Sequence, residues 1–209
     1  MDPTPAMKEL IEGYRAFMAK RWPAEHARYA ELAKGQRPKY LVIACSDSRA
    51  DPAVIFNAGP GQIFIVRNVA AIVPPYETGT GYHGTSAAIA FAVMELKVEN
   101  VVVLGHAQCG GVSAALAGAR AAKVPFLSEW IALLDPAVER CAHTGHDAQT
   151  ALEHETIKLS LERLMTFPFV AERVKNGSLK LHGARFGIAD GALEVLDPAS
   201  GKFAAVSRA

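Results

Sequence analysis

Two short stretches carry residue types that can do chemistry: Ala44-Cys-Ser-Asp-Ser-Arg49 and Gly105-His-Ala-Gln-Cys-Gly-Gly111. Cys45, His106 and Cys109 would give two thiolates and one imidazole, a good donor set for zinc. Three protein ligands leave the fourth tetrahedral position open, as in catalytic rather than structural zinc sites. Taken singly, Cys45 also reads as a small buried hydrophobe and His106 as a satisfied loop histidine. Asp47, two residues after Cys45, could accept a hydrogen bond from a water on the metal, or could bind the metal itself. Arg49 could hold that carboxylate in a charge-assisted pair and direct it away from the metal. A solvated surface pair worth about 0–1 kcal/mol is the alternative for Asp47 and Arg49.

The elements around these stretches must bring them together. Tyr40–Ala44, Ile63–Val66 and Val101–Leu104 are short continuous apolar runs, the pattern of strands buried on both faces. Helical stretches are predicted at Thr85–Leu96, Val112–Ala119, Pro125–His143 and Ala148–Met165. Ser178–Leu181 and Leu193–Leu196 read as a late pair of strands, and Pro74–Gly84 as a loop. Alternating strands and helices imply an α/β fold with a mostly parallel central sheet flanked by helices. Both chemical stretches begin where a predicted strand ends, the edge at which open parallel sheets bind ligands. Ahead of the first strand, Thr4 and Pro5 signal a helix start, and Met7, Leu10, Ile11, Tyr14, Phe17 and Met18 recur at helical spacing. A second helix is expected from about Pro23 to Gly35. The reading is one domain over 1–209, with residues 1–34 as an N-terminal helical arm.

With 209 residues, half of them hydrophobic, the chain can bury a core without disulfides. Its 22 basic and 21 acidic residues leave a net charge of +1, so neither nucleic acid nor an anionic membrane is an expected partner. No apolar run approaches the roughly 18 residues of a membrane span, and the N-terminus has no signal-peptide pattern. Three cysteines without an export signal suit a reducing, cytoplasmic setting.

Cys-x-Asp-Ser-Arg followed by His-x-x-Cys-Gly-Gly resembles the β-class carbonic anhydrases. The likeness extends through Phe64-Ile-Val-Arg-Asn-Val-Ala70 with Val73-Pro-Pro75, Leu159-Ser-Leu-Glu-Arg-Leu with Pro168-Phe-Val, and Leu181-His-Gly-Ala-Arg-Phe-Gly-Ile188. It covers about residues 30 to 196. The resemblance implies one Zn²⁺ per chain on Cys45, His106 and Cys109, with Asp47 and Arg49 as a catalytic dyad. It implies reversible hydration of carbon dioxide to bicarbonate in a dimer or higher even oligomer. Gln36 matches a glutamine that bonds substrate across a dimer interface, with the N-terminal helices packing on the partner. Phe64 and Val69 match apolar wall positions, and Gly110 matches a glycine whose N–H faces the substrate. Phe91 stands where plant-type members often carry tyrosine. Val42 and Ala44 stand where a bicarbonate-regulated subgroup has tryptophan and glycine, so the chain resembles the open, plant-like subgroup.

Other readings compete. Some relatives hydrolyse carbon disulfide or carbonyl sulfide on the same constellation, and a non-catalytic bicarbonate-binding homologue would keep the fold. Cysteine-based phosphate chemistry is disfavoured, because Asp47 would repel phosphate. Gly105–Gly111 lacks the G-x-G-x-x-G spacing of a nucleotide loop. Cys141 reads as helix packing, and His83, His143, His146, His154 and His182 match no second ligand set.

Overall fold

The structure, a computed structural model, describes residues 7–118, 124–141 and 147–207. The helix-start signal at Thr4–Pro5, the ends of two predicted helices at Ala119 and His143, and His146 lie outside the described residues. The chain divides into two compact units, Met1–Gln36 and Arg37–Ala209.

The first unit is a pair of helices, α1 (Lys8–Lys20) and α2 (Trp22–Leu32), neither with a buried residue. Phe17, Trp22 and Tyr29 form an aromatic cluster between them, with Trp22 and Tyr29 ring centroids 5.3 Å apart. Of the rest of the apolar stripe, Ile11 and Met18 are half-buried, and Met7, Leu10 and Tyr14 are 47%, 67% and 60% exposed.

The second unit is built on a six-stranded sheet ordered β2-β1-β3-β4-β5-β6. Its strands are β1 (Tyr40–Cys45), β2 (Ile63–Asn68), β3 (Asn100–His106), β4 (Lys180–Phe186), β5 (Leu193–Asp197) and β6 (Lys202–Ala205). The pairings β2/β1, β1/β3 and β3/β4 are parallel, and the last two are antiparallel. Side chains alternate across a strand, which is why β1 is apolar throughout. Leu41 and Ile43 join Val101, Val103, Ile89, Val93 and Phe167 on one face, while Val42 and Ala44 meet Leu104 and Ala184 on the other.

Helices cover the sheet: α3 (Pro52–Ile55), α4 (Gly84–Ala90), α5 (Gly110–Leu116), α6 (Leu127–Ala132), α7 (Asp135–Cys141), α8 (Ala148–Leu164) and α9 (Pro168–Lys175). The helix expected over Pro125–His143 is two helices. Pro136, which cannot donate a helical hydrogen bond, opens α7, and the chain bends at Leu133–Leu134. The helix expected over Thr85–Leu96 ends at Ala90 and widens into a π turn, Phe91–Glu95, closed by Leu96 N–H donating to the Phe91 carbonyl (3.0 Å). The late strand predicted at Ser178–Leu181 is longer and starts later, as β4. The strand β6 and the short α3 have no counterpart in the sequence reading. Among the described residues, no helix is long and apolar enough to cross a membrane.

Candidate metal centre

Cys45 is the last residue of β1 and His106 the last of β3, and these strands are parallel neighbours. Both side chains therefore emerge at the same carboxyl-end edge. The chain turns back after His106 through Gln108, at φ 53°, in the left-handed region that polar side chains tolerate better than branched ones. That reversal sets Cys109 at the start of α5, with its sulfur 3.9 Å from that of Cys45. Tetrahedral zinc with Zn–S bonds of ~2.3 Å needs sulfurs about 3.8 Å apart. The three donor atoms all lie within 4.8 Å of one another, and all three residues are buried.

The imidazole is prepared for a cation. The Nδ1 position of His106 lies 2.9 Å from the Ala107 carbonyl, a contact that places the ring proton there and leaves Nε2 with a lone pair. Nε2 is buried and has no hydrogen-bond partner. A buried ring nitrogen without a hydrogen-bond partner, set beside two sulfurs, is costly unless a cation completes it, so these residues fit zinc. The sulfurs are polarised to match. The hydrogen bond from the Cys109 thiol, together with His106 and the N–H groups of Asp47 and Ala70, outweighs burial and lowers the Cys45 pKa to about 4. Donating that bond, with burial added, pushes the Cys109 thiol up. Burial opposes the charged form of His106, but the Cys45 sulfur and the Ala107 carbonyl outweigh it and raise its pKa. Metal binding would displace the shared protons.

Asp47 sits beside this cluster, its Oδ2 3.8 Å from His106 Nε2. Arg49 grips it bidentately, Nε to Oδ1 at 2.9 Å and Nη2 to Oδ2 at 2.7 Å, while the Arg49 backbone N–H also donates to Oδ1. These bonds hold the carboxyl well below the usual carboxylate range against the opposing effect of burial. Arg67, in β2, pins the loop from behind. Its guanidinium donates to the carbonyls of Cys45 (2.8 Å) and Asp47 (2.6 Å) and pairs with Asp51 at 2.9 Å. Asp51 in turn caps α3 by accepting from Ala53 N–H.

The far wall is a strained turn. Ala70 and Ala71 take φ of 65° and 55°, costly for residues with a Cβ. The Asn68 side chain holds the turn shut, donating to the Ile72 carbonyl and accepting its N–H at 2.9 and 2.8 Å. The Trp130 indole donates to the Val69 carbonyl at 2.9 Å. The Ala70 N–H in this turn is among the groups that lower the Cys45 pKa. A Cβ on Gly111 would lie 2.9 Å from both Ala70 Cβ and Val69 Cγ1, so α5 approaches this turn only through glycine.

Of the residues singled out from sequence, the structure brings together Cys45, His106, Cys109, Asp47 and Arg49. Gly110 is the first residue of α5, next to Cys109, and Val69 begins the turn that faces Gly111. Phe64 stands farther down β2, opposite Leu41, with its ring 5.8 Å from that of Phe91. Gln36 is exposed at the end of the first unit. Cys141 is buried within α7. His154 pairs with Glu194 at 3.1 Å, and His182 with Asn100 at 3.0 Å. Sequence reading missed Arg67, Asn68, Trp130, Glu153 and Arg185. An Arg-Asn pair closing an otherwise apolar strand signals the first two, and nothing local marks the others.

The carbonic anhydrase family model matches residues 40–193. Beta carbonic anhydrase 3 of Arabidopsis thaliana is 35% identical over 198 residues, covering 91% of this chain and 76% of that protein. Beta carbonic anhydrase 5, chloroplastic, of the same plant is 37% identical over 194 residues. That match covers 90% of this chain but 64% of the relative, a little under two thirds of its length. Among solved structures, the beta-carbonic anhydrase CcaA superposes with a TM-score of 0.90 at 30% identity, covering 98% of this chain and 94% of that one.

Proposed function

This chain belongs to the β-carbonic anhydrase family, and from that premise we propose that it is a zinc enzyme that reversibly hydrates carbon dioxide to bicarbonate and a proton. The observation that carries the reading is the convergence of an unpartnered His106 Nε2 with two buried sulfurs, beside a carboxylate held by Arg49. Cys45, His106 and Cys109 would hold one Zn²⁺ per chain, whose chemistry is to acidify a water at the open fourth position into a nucleophile near neutral pH.

The chain's own residues then orient the reaction. Asp47 Oδ2 accepts the hydrogen bond of the attacking water and turns its lone pair toward substrate. Arg49 keeps Asp47 ionised and holds both its oxygens, so the carboxylate stays beside the donor atoms without taking the fourth position itself. Val69 and Phe64 are assigned to the apolar wall for carbon dioxide, and the Gly110 N–H to a substrate oxygen. Gln36 is assigned to the site of a neighbouring copy, in a dimer or higher even oligomer. Three cysteines outside disulfides suit a reducing compartment, and the cytoplasm is the location we infer.

The test is zinc analysis with stopped-flow hydration of carbon dioxide, run beside carbon disulfide and carbonyl sulfide. About one zinc per chain and fast hydration of carbon dioxide are expected. Turnover of only the sulfur compounds would reassign the substrate. Binding of bicarbonate without any turnover would make the chain a non-catalytic homologue.

A further inference from the structure

Behind Cys109 the core holds a charge that the reaction does not use. Glu153, on α8, is 2% exposed. Its Oε1 accepts the Cys109 backbone N–H at 3.3 Å and the Gln149 amide at 2.8 Å. Its Oε2 accepts Arg185 Nε, from β4, at 2.7 Å. Gln149 also donates to the Cys109 carbonyl at 3.3 Å, so α8 holds both polar atoms of this residue's backbone. Arg185 continues to Glu194 at 2.9 Å, which His154 reaches at 3.1 Å.

A buried ion pair of this kind is poor at adding stability and would often be matched by apolar side chains. Its placement serves something else. Cys109 precedes α5, where backbone N–H groups have no intrahelical partner. It also follows a residue in the left-handed region, at the end of a loop whose other ties are Ala107 N–H to the Phe186 carbonyl and Arg49 to the Gln108 carbonyl. We propose that Glu153 is a positioning residue for the metal centre, fixing the Cys109 peptide so that its sulfur is already placed to take the ion. The proposal deepens the zinc reading and rests on it.

Three N–H donors converge on Glu153, and only a carboxylate has two acceptor oxygens for them. Glu153→Gln is nearly isosteric but has one oxygen. Arg185, being charged, would retain it, leaving the amide NH₂ against the Cys109 N–H. In Glu153→Gln/Arg185→Met the amide is free to turn its oxygen back to Cys109. Zinc affinity is measured by chelator competition on the folded full-length protein, with the thiolate-to-cobalt charge-transfer band of the cobalt-substituted form as a second readout. Hydrogen exchange of the Cys109 amide is followed in metal-free wild type.

Glu153→Gln is expected to fold, to bind zinc about tenfold or more weakly, the usual size of an outer-sphere effect, and to show a weakened charge-transfer band. The double variant should recover most of the affinity, and the wild-type Cys109 amide should be protected. Wild-type affinity and an unchanged cobalt band in Glu153→Gln would overturn the proposal. So would a double variant no better than the single, a freely exchanging Cys109 amide, or a Glu153→Gln chain that does not fold, which would make Glu153 a residue of the whole fold. Wild type that takes up no zinc would defeat the functional reading instead, while amide protection would still report the Glu153 bond.

Discussion

Cys45 and Cys109 are asymmetric in the metal-free chain, one thiol pulled down and the other pushed up by the same hydrogen bond. A cation removes that asymmetry by taking both as thiolates. Changing either to serine replaces a soft anionic donor with a poor one, so zinc content and hydration rate should fall together, as read by metal analysis beside stopped-flow assay. Asp47→Ala should keep the metal and lose roughly 10²-fold in kcat, the scale of a positioned proton acceptor. Equal turnover would reduce Asp47 and Arg49 to a surface pair. Charge also sets the pH profile. Asp47 is held below its ordinary value, so it stays ionised as pH falls and its pairing with Arg49 is lost only in strong acid. The near-neutral limb of the profile therefore belongs to the metal centre. Two thiolates cancel the formal charge of Zn²⁺, so its water should be less acidic than the value of about 7 seen with three histidines. Activity is expected to climb through neutrality into mildly alkaline pH at constant ionic strength. A flat profile down to acid pH would contradict the charge argument.

At the scale of elements, the site depends on a few close approaches. The α8 helix meets β3 where a Cβ on Gly105 would come 2.8 Å from Ile157 Cδ1, so the strand that carries His106 sits close under that helix. The α5 helix meets the Val69–Ala71 turn through Gly111. Gly111→Ala forces a methyl group against two side chains anchored by backbone strain and by Trp130. We expect a loss of about 1–3 kcal/mol, the usual cost of overpacking, measured by urea unfolding with zinc held constant. The kcat/KM should fall as well, because Val69, which we assign to the substrate wall, must shift. Unchanged unfolding and kinetics would show that the turn has room to yield.

For the whole molecule, the exposed face of α1 bears on assembly. Its apolar stripe has no buried residue, and an isolated helical pair of this length is marginal in water. Exposed apolar surface of this kind marks an association face. The native protein is expected to be an even oligomer by light scattering. Deleting residues 1–34 should yield monomers or aggregates with little activity. A well-folded, fully active monomer from that deletion would show that neither the arm nor Gln36 serves a neighbouring copy.

Much of the centre was legible in the chain itself, because the chemistry is local. Cys-x-Asp-Ser-Arg and His-x-x-Cys each lie within one strand-end loop. The apolar runs before them mark strands that must be buried on both faces, and that burial sends their polar successors to the sheet edge. Residue type and spacing thus marked the candidate donors, the Asp47–Arg49 pair and a mostly parallel sheet, and the family resemblance supplied their roles. Tertiary structure alone decided that β1 and β3 are neighbours, so that sulfurs 64 positions apart meet at 3.9 Å. It decided that Arg67 turns inward to two carbonyls, that Ala70 and Ala71 accept strain, and that Glu153 reaches Cys109 from α8. No periodicity announces these contacts. Each joins elements remote in sequence, and the free energy that holds it comes from burying the sheet and helices that bring them together.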